Sequence, residues 1–259
     1  MWLELRQVFD TLSHSPSVRA IVLSGAGPRA FTTGLDVQFA SSSGVLAQNS
    51  SGVSPDGARA ATAIRRHISE FQDCITAVER CEKPVICVMH GYAFGLAVDL
   101  STCADVRICS SDTHFAVKEV DIGLAADVGT LTRLPKVVGN YSWVKDVSLS
   151  ARVFGPEEAF RVGFVSGVYP SKEVAVAEGI KWAELVASKS PVAVQGTKEL
   201  LNWSRDHTVQ DGEYARSIPS TLTNVGRSSL HCVLERCLSP DPRCASGHAS
   251  QHEEKATDV

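Results

Sequence analysis

The 259-residue sequence predicts an α/β fold, and three observations lead there. Residues 18–23, 85–89 and 106–109 are short runs rich in Val and Ile, the pattern of buried strands. The first run is closed by Ser24-Gly25-Ala26-Gly27-Pro28 and the second by His90-Gly91, both turn-forming. Between and after the runs lie segments whose apolar residues recur at helical spacing. Strands alternating with helices argue for right-handed crossovers within a parallel sheet.

Each element has its own signal. Leu3, Leu5, Val8, Phe9 and Leu12 make residues 1–13 an amphipathic helix, stopped by Pro16. Residues 41–57 form a polar, Gly/Ser-rich loop, long enough to be a functional segment. Residues 58–81 read as one helix with Ala63, Ile64, Ile68, Phe71, Ile75 and Val78 along its apolar face. A helix is expected around 95–103, and others at 141–150, 156–162, 172–187 and 191–203. The last begins at Ser190-Pro191, a capping residue followed by proline at the first helical position. Residues 213–259 are rich in Ser, Pro, Cys and His with weak periodicity, and are expected to form a poorly ordered tail beyond a domain of residues 1–212.

Composition narrows the function classes. A net charge of -4 leaves no basic footprint for nucleic acid. No apolar run reaches the length of about 18 residues that a membrane-spanning helix needs. The first residues lack the charged start and apolar core of a secretory signal, and the chain ends without a Ser-Lys-Leu address. Five of the eight cysteines (Cys74, Cys81, Cys87, Cys103 and Cys109) lie in helix- or strand-like runs without a framework spacing, so buried thiols are expected. Cys232 and Cys237 followed by His248 and His252 loosely resemble a zinc ligand set, but Pro240 and Pro242 and the missing apolar core argue against a metal site.

Three segments carry candidate chemistry. In Phe31-Thr32-Thr33-Gly34-Leu35-Asp36-Val37, glycine allows a sharp turn that exposes backbone N–H groups. Such groups either form an ordinary turn or stabilise an anionic oxygen such as a thioester enolate. In His90-Gly91-Tyr92-Ala93-Phe94-Gly95-Leu96-Ala97-Val98-Asp99, a strand enters an apolar helix whose N-terminus offers free N–H groups. Asp99 interrupts that helix; it either makes a structural hydrogen bond or is a buried carboxylate put to use. His90 reads as structural. In the third segment, Glu119 and Asp127 lie eight residues apart across a mostly apolar stretch, so a strand end and the next helix start could aim both into one cavity. Asp127 could instead be an N-cap, and Asp121 is expected to be solvated. Two carboxylates in an apolar pocket are general acid/base candidates, because burial raises one toward neutrality.

Taken in order and spacing, these segments resemble the crotonase (enoyl-CoA hydratase/isomerase) superfamily over residues 1–212. The resemblance implies a spiral of ββα repeats with a C-terminal helical region, a trimer or hexamer, and a bound acyl-CoA. It implies an oxyanion hole made by the backbone N–H groups of Leu35 and Leu96, where many relatives have glycine at the second position. It places Thr33, Gly34, Asp36, Val37 and Gly95 against the substrate. The run from Val117 to Leu131, with Asp127 where hydratases usually carry glycine, looks like the Δ3,5-Δ2,4-dienoyl-CoA isomerases of that superfamily. That likeness implies a proton shuttle in fatty-acid β-oxidation: Glu119 removes a proton at C2, Asp127 delivers one at C6, and Asp99 tunes the pair. No metal or redox cofactor is implied, since coenzyme A belongs to the substrate. The family works in peroxisomes or mitochondria. The chain starts at the helix that normally follows the family's N-terminal hairpin, and departs from the pattern after Gly212. An enoyl-CoA hydratase using Asp99 and Glu119 is one alternative, and a non-catalytic acyl-CoA-binding or assembly subunit is another.

Overall fold

In the computed structural model, which describes residues 2–34 and 56–211, the strands come in pairs, each pair followed by helical structure. Helix α1 (Trp2–His14) precedes β1 (Ile21–Ser24) and β2 (Ala30–Thr32), followed by α2 (Gly57–Arg80). The second pair is β3 (Val85–Met89) and β4 (Tyr92–Phe94), followed by α3 (Leu96–Cys103). The third is β5 (Val106–Ser110) and β6 (His114–Ala116), followed by a 3-10 turn (Glu119–Ile122) and α4 (Thr130–Val137). Helices α5 (Tyr141–Ser150) and α6 (Pro156–Arg161), strand β7 (Val168–Tyr169) and helix α7 (Lys172–Ala187) complete a compact unit of residues 1–189. A second unit begins at Ser190 and contains α8 (Pro191–Ser204), with proline in its first turn as expected. The expected boundary after 212, the tail and its Cys/His pattern lie outside the described residues, as does most of the loop 41–57.

First strands of the three pairs, together with β7, form one parallel sheet in the order β1-β3-β5-β7, and second strands join another in the order β2-β4-β6. Ile21 faces Val85 and Ile86 faces Val106, while Phe94 faces Ala116. This is a ββα spiral, each turn adding one strand to each sheet. All five residues of β3 are buried, as a strand covered on both faces must be.

The core forms where the helices close over the sheets. Cys74, Ile75, Ala77 and Val78 bury the C-terminal half of α2, whereas Ile64, on the expected apolar face, is exposed near the start of that helix. In α1, Phe9 is buried and Leu5 and Leu12 pack on the core, while Leu3 and Val8 remain exposed. Cys74, Cys81, Cys87, Cys103 and Cys109 are buried thiols outside any disulfide. His90 is fully buried, with its Nε2 2.7 Å from the Gly27 carbonyl, so it pins the turn between β1 and β2. Lys172 donates to the Ala26 and Gly27 carbonyls of that turn. Phe115, Phe154 and Phe164 form an aromatic cluster with Trp143, which joins α5 to β6.

Helix α7 lies across the first sheet and meets it at Gly179. A β-carbon there would stand 2.9 Å from Val88 Cγ2 and 3.5 Å from Val22 Cγ1, on two neighbouring strands. The missing side chain lets helix and sheet touch. Gly179→Leu should therefore lower the denaturant midpoint, by about 1–3 kcal/mol of overpacking strain, despite the better helix propensity of Leu. An unchanged midpoint would show that α7 is free to lift.

Candidate active site

The site forms where the segments leaving β2, β4 and β6 converge. Gly34, just past β2, has φ +93°, and Gly95, just past β4, has φ +55°. Both lie in the left-handed region that glycine adopts without strain. Space is tight as well at Gly95, whereas at Gly34 a side-chain carbon would make ordinary contacts. A β-carbon on Gly34 would lie 3.4 Å from the Phe94 carbonyl oxygen and 3.5 Å from the Leu96 nitrogen. One on Gly95 would lie 3.2 Å from Glu119 Oε1 and 3.8 Å from the Gly34 α-carbon. The Gly95 N–H donates to the Ala116 carbonyl at 2.9 Å, tying the end of β4 to β6. Leu96 then opens α3, so its N–H belongs to the first turn, where a helix has no internal acceptor for it.

The three carboxylates are graded in burial. Asp99, on α3, is 1% exposed, and its Oδ1 accepts a hydrogen bond from the Thr130 N–H at 2.6 Å. Burial pushes its carboxyl up to about 7, helped by the negative charge of Glu119 and opposed by the Thr130 amide and by Arg133. Glu119 opens the 3-10 turn and is half-buried; its Oε2 is enclosed without a hydrogen-bond partner among the described residues. Burial raises the Glu119 carboxyl first of all; backbone N–H groups at 118–119 pull it back, and the charge of Asp127 adds to the rise. Asp127 is exposed on the surface of the chain, and its carbonyl accepts from Gln72 Nε2 at 2.7 Å.

The structure thus brings Gly34, Gly95, Leu96 and Glu119 together and sets Asp99 within electrostatic reach of Glu119. Asp127 borders this group from the surface instead of sharing one enclosed apolar pocket, because residues 120–125 before it are themselves exposed. Nor does Asp127 cap α4. Gly129 holds that position, and the first amide of the helix finds its acceptor in Asp99. Thr33 is exposed at the rim, Asp121 pairs with Lys118 at 2.9 Å on the surface, and Leu35, Asp36 and Val37 lie outside the described residues. Sequence reasoning missed Thr130, Arg133 and Glu79. Glu79 stands beside Arg80 and close to Thr76, so nothing local in the sequence sets it apart. Among the described residues, no group of three or more His, Cys, Asp or Glu side chains could hold a metal ion, and no helix is long and apolar enough to cross a membrane.

An α/β spiral with paired carboxylates beside a helix N-terminus defines an acid–base site, and comparison with known proteins places it. The chain belongs to the enoyl-CoA hydratase/isomerase family, whose model matches residues 1–218. Over 210 residues it is 44% identical to the mitochondrial Delta(3,5)-Delta(2,4)-dienoyl-CoA isomerase of Homo sapiens, covering 81% of this chain and 62% of that protein. It is 42% identical over 211 residues to the peroxisomal Delta(3,5)-Delta(2,4)-dienoyl-CoA isomerase of Arabidopsis thaliana, covering 82% of this chain and 74% of that one. The chain therefore spans somewhat under two thirds of its human relative. In fold it resembles an enoyl-CoA hydratase from Bacillus anthracis, with a TM-score of 0.73 at 23% identity over 90% of this chain and 80% of the other.

The Asp99 carboxyl makes a prediction about stability. Its folded-state value is raised from 3.8 to about 7, so between those values the folded chain binds the proton that the unfolded chain releases. Its contribution to stability is largest below about pH 4, falls as pH rises, and levels off above about pH 7. The full loss is of order 4 kcal/mol at 1.36 kcal/mol per pH unit. Asp99→Asn keeps an acceptor for the Thr130 amide but carries no charge, so urea unfolding across this range should give a flatter pH dependence than the parent. Equal slopes would remove Asp99 as the titrating group.

Proposed function

We propose that this chain is a Δ3,5-Δ2,4-dienoyl-CoA isomerase. The observation that carries the reading is the approach of Glu119 Oε1 to the Gly95 backbone, beside Gly34 and the first amide of α3. A thioester oxygen held by the Leu96 N–H, and by that of Leu35, would sit next to the base that removes the adjacent C2 proton. Polarised N–H groups aimed at the developing enolate oxygen supply the stabilisation such a step needs.

The chemistry balances without a metal or redox partner. Ionised Glu119 takes the C2 proton of a 3,5-dienoyl-CoA, and the electron pair spreads through the conjugated chain as a dienolate. The carboxyl of Asp127 delivers a proton at C6, leaving the double bonds at 2 and 4. Exposure of Asp127 lets it reload from solvent, and the elevated Glu119 returns its proton to water. Asp99, buried and coupled to Glu119, holds the charge balance of the pair. Val120, Ile122 and Leu124, exposed between Glu119 and Asp127, offer an apolar path for the acyl chain. Thr33, Gly34, Asp36, Val37 and Gly95 would border the substrate.

The names of the human and Arabidopsis thaliana relatives favour this reading over hydration, and they suggest a mitochondrial or peroxisomal setting for this chain. Coenzyme A enters with the substrate, and assembly into a trimer or hexamer is proposed from family membership. Hydration by Asp99 and Glu119 remains the second reading because another relative, 30% identical over 200 residues, is a crotonyl-CoA hydratase.

Offering the purified chain 3,5-dienoyl-CoA and 2-enoyl-CoA separates the two. We expect the ultraviolet absorbance of a conjugated 2,4-dienoyl thioester to rise, and Asp127→Asn to slow that rise by about 10²- to 10⁴-fold with acyl-CoA binding retained. The rate should fall as pH drops through the elevated Glu119 value, because the base is then protonated. Hydration of the enoyl ester with no diene shift would sink the isomerase assignment.

A further inference from the structure

Beside Asp99 lies an ion pair that the proposed chemistry does not use. Arg133, one turn into α4, donates from Nε to Glu79 Oε2 at 2.6 Å and from Nη2 to Thr76 Oγ1 at 2.8 Å. The two charged side chains are 13% and 12% exposed, so the pair is largely withdrawn from water. Two residues of α2 thus clamp the guanidinium in one orientation. Its remaining nitrogen, Nη1, turns to Gly129: a β-carbon there would overlap Nη1 and stand 3.6 Å from Asp99 Oδ1. Glycine is needed there for space, because the guanidinium and the carboxylate both approach the same α-carbon.

We propose that Arg133 is a positioning residue that sets the protonation of Asp99, with Glu79 setting how strongly it acts. The inference rests on the acid–base reading of Asp99 and Glu119. The charged groups bearing on Asp99 are Glu119 from the 3-10 turn, Arg133 from α4 and, behind it, Glu79 from α2, together with the Thr130 amide. Glu119 disfavours the ionised form of Asp99 and Arg133 favours it. Arg133 is always charged, so its influence varies only with how far Glu79 neutralises it. If the ion pair only held α2 to α4, removing either partner would injure the protein in the same way. As a regulator of Asp99, its two halves act in opposite directions.

The test uses the full chain and reads Asp99 directly, by infrared difference spectroscopy of its carboxyl across pH, with Asp99→Asn as the reference that loses the signal. Arg133→Gln should raise the Asp99 midpoint by about one pH unit. Glu79→Gln leaves the guanidinium charged with a neutral acceptor, and should lower the midpoint by a similar amount. The double variant should return toward the parent. If Arg133→Gln does not fold, the downward shift in Glu79→Gln decides alone. Shifts of the two single variants in the same direction, or an unmoved midpoint in Glu79→Gln, would overturn the proposal. The measurement needs no substrate, so a failure of diene isomerisation would leave this result standing, and the reverse also holds.

Discussion

The 2.6 Å hydrogen bond from the Thr130 amide to Asp99 Oδ1 joins the start of α4 to the middle of α3, across a chain separation of 31 residues. Burying a carboxylate is costly, and here the cost is offset by a helix N-terminus and by the nearby Arg133. The bond anchors one end of the segment that carries Glu119 and Asp127. Strand β6, paired to β4, anchors the other. Between them, Lys118 donates to the Ala151 carbonyl and Gln72 to the Asp127 carbonyl, which tie the segment to its neighbours.

Three carboxylates of similar intrinsic acidity thereby acquire different characters. Asp99 is buried, which penalises its charge and pushes its carboxyl up to about 7. Glu119 keeps one oxygen against the Gly95 backbone and the other enclosed, so it is raised but still reachable. Asp127 faces solvent. Environment, not residue type, sets the three apart.

Much of this is legible in the sequence, and the failures have physical causes. Strands β3 and β5 and the helices from 141 to 204 announce themselves because each buries a face by a local, periodic pattern. Strands β2, β4 and β6 are three residues long, too short for alternation to register, and only pairing with one another defines them. Helix α4 contains Pro135 and lacks a local capping side chain; its cap comes from Asp99, which no local pattern can reveal. Asp99 is legible because a charge in an apolar run is a local anomaly, and Glu119 because it and Asp127 bracket a mostly apolar stretch. The pairing of Arg133 with Glu79 is not, since partners 54 residues apart carry no mutual signal. The exposure of Asp127 escapes sequence reasoning for a related cause: Val120, Ile122 and Leu124 look like core residues in sequence but remain at the surface of the chain.

The spiral itself explains why the site needs so few dedicated contacts. Parallel pairing of β2, β4 and β6 brings equivalent ends of three repeats side by side. The segments leaving the three strands must then meet one another. In this chain those positions hold Gly34, Gly95 and Glu119, two residues without side chains and one with an acid. The glycines leave backbone amides and open space, and the third repeat alone projects a functional group into it. A repeated fold therefore supplies convergence without further design, and the chemistry turns on which of the three ends carries the side chain. That asymmetry leaves one repeat with an acid and the other two with bare backbone around it.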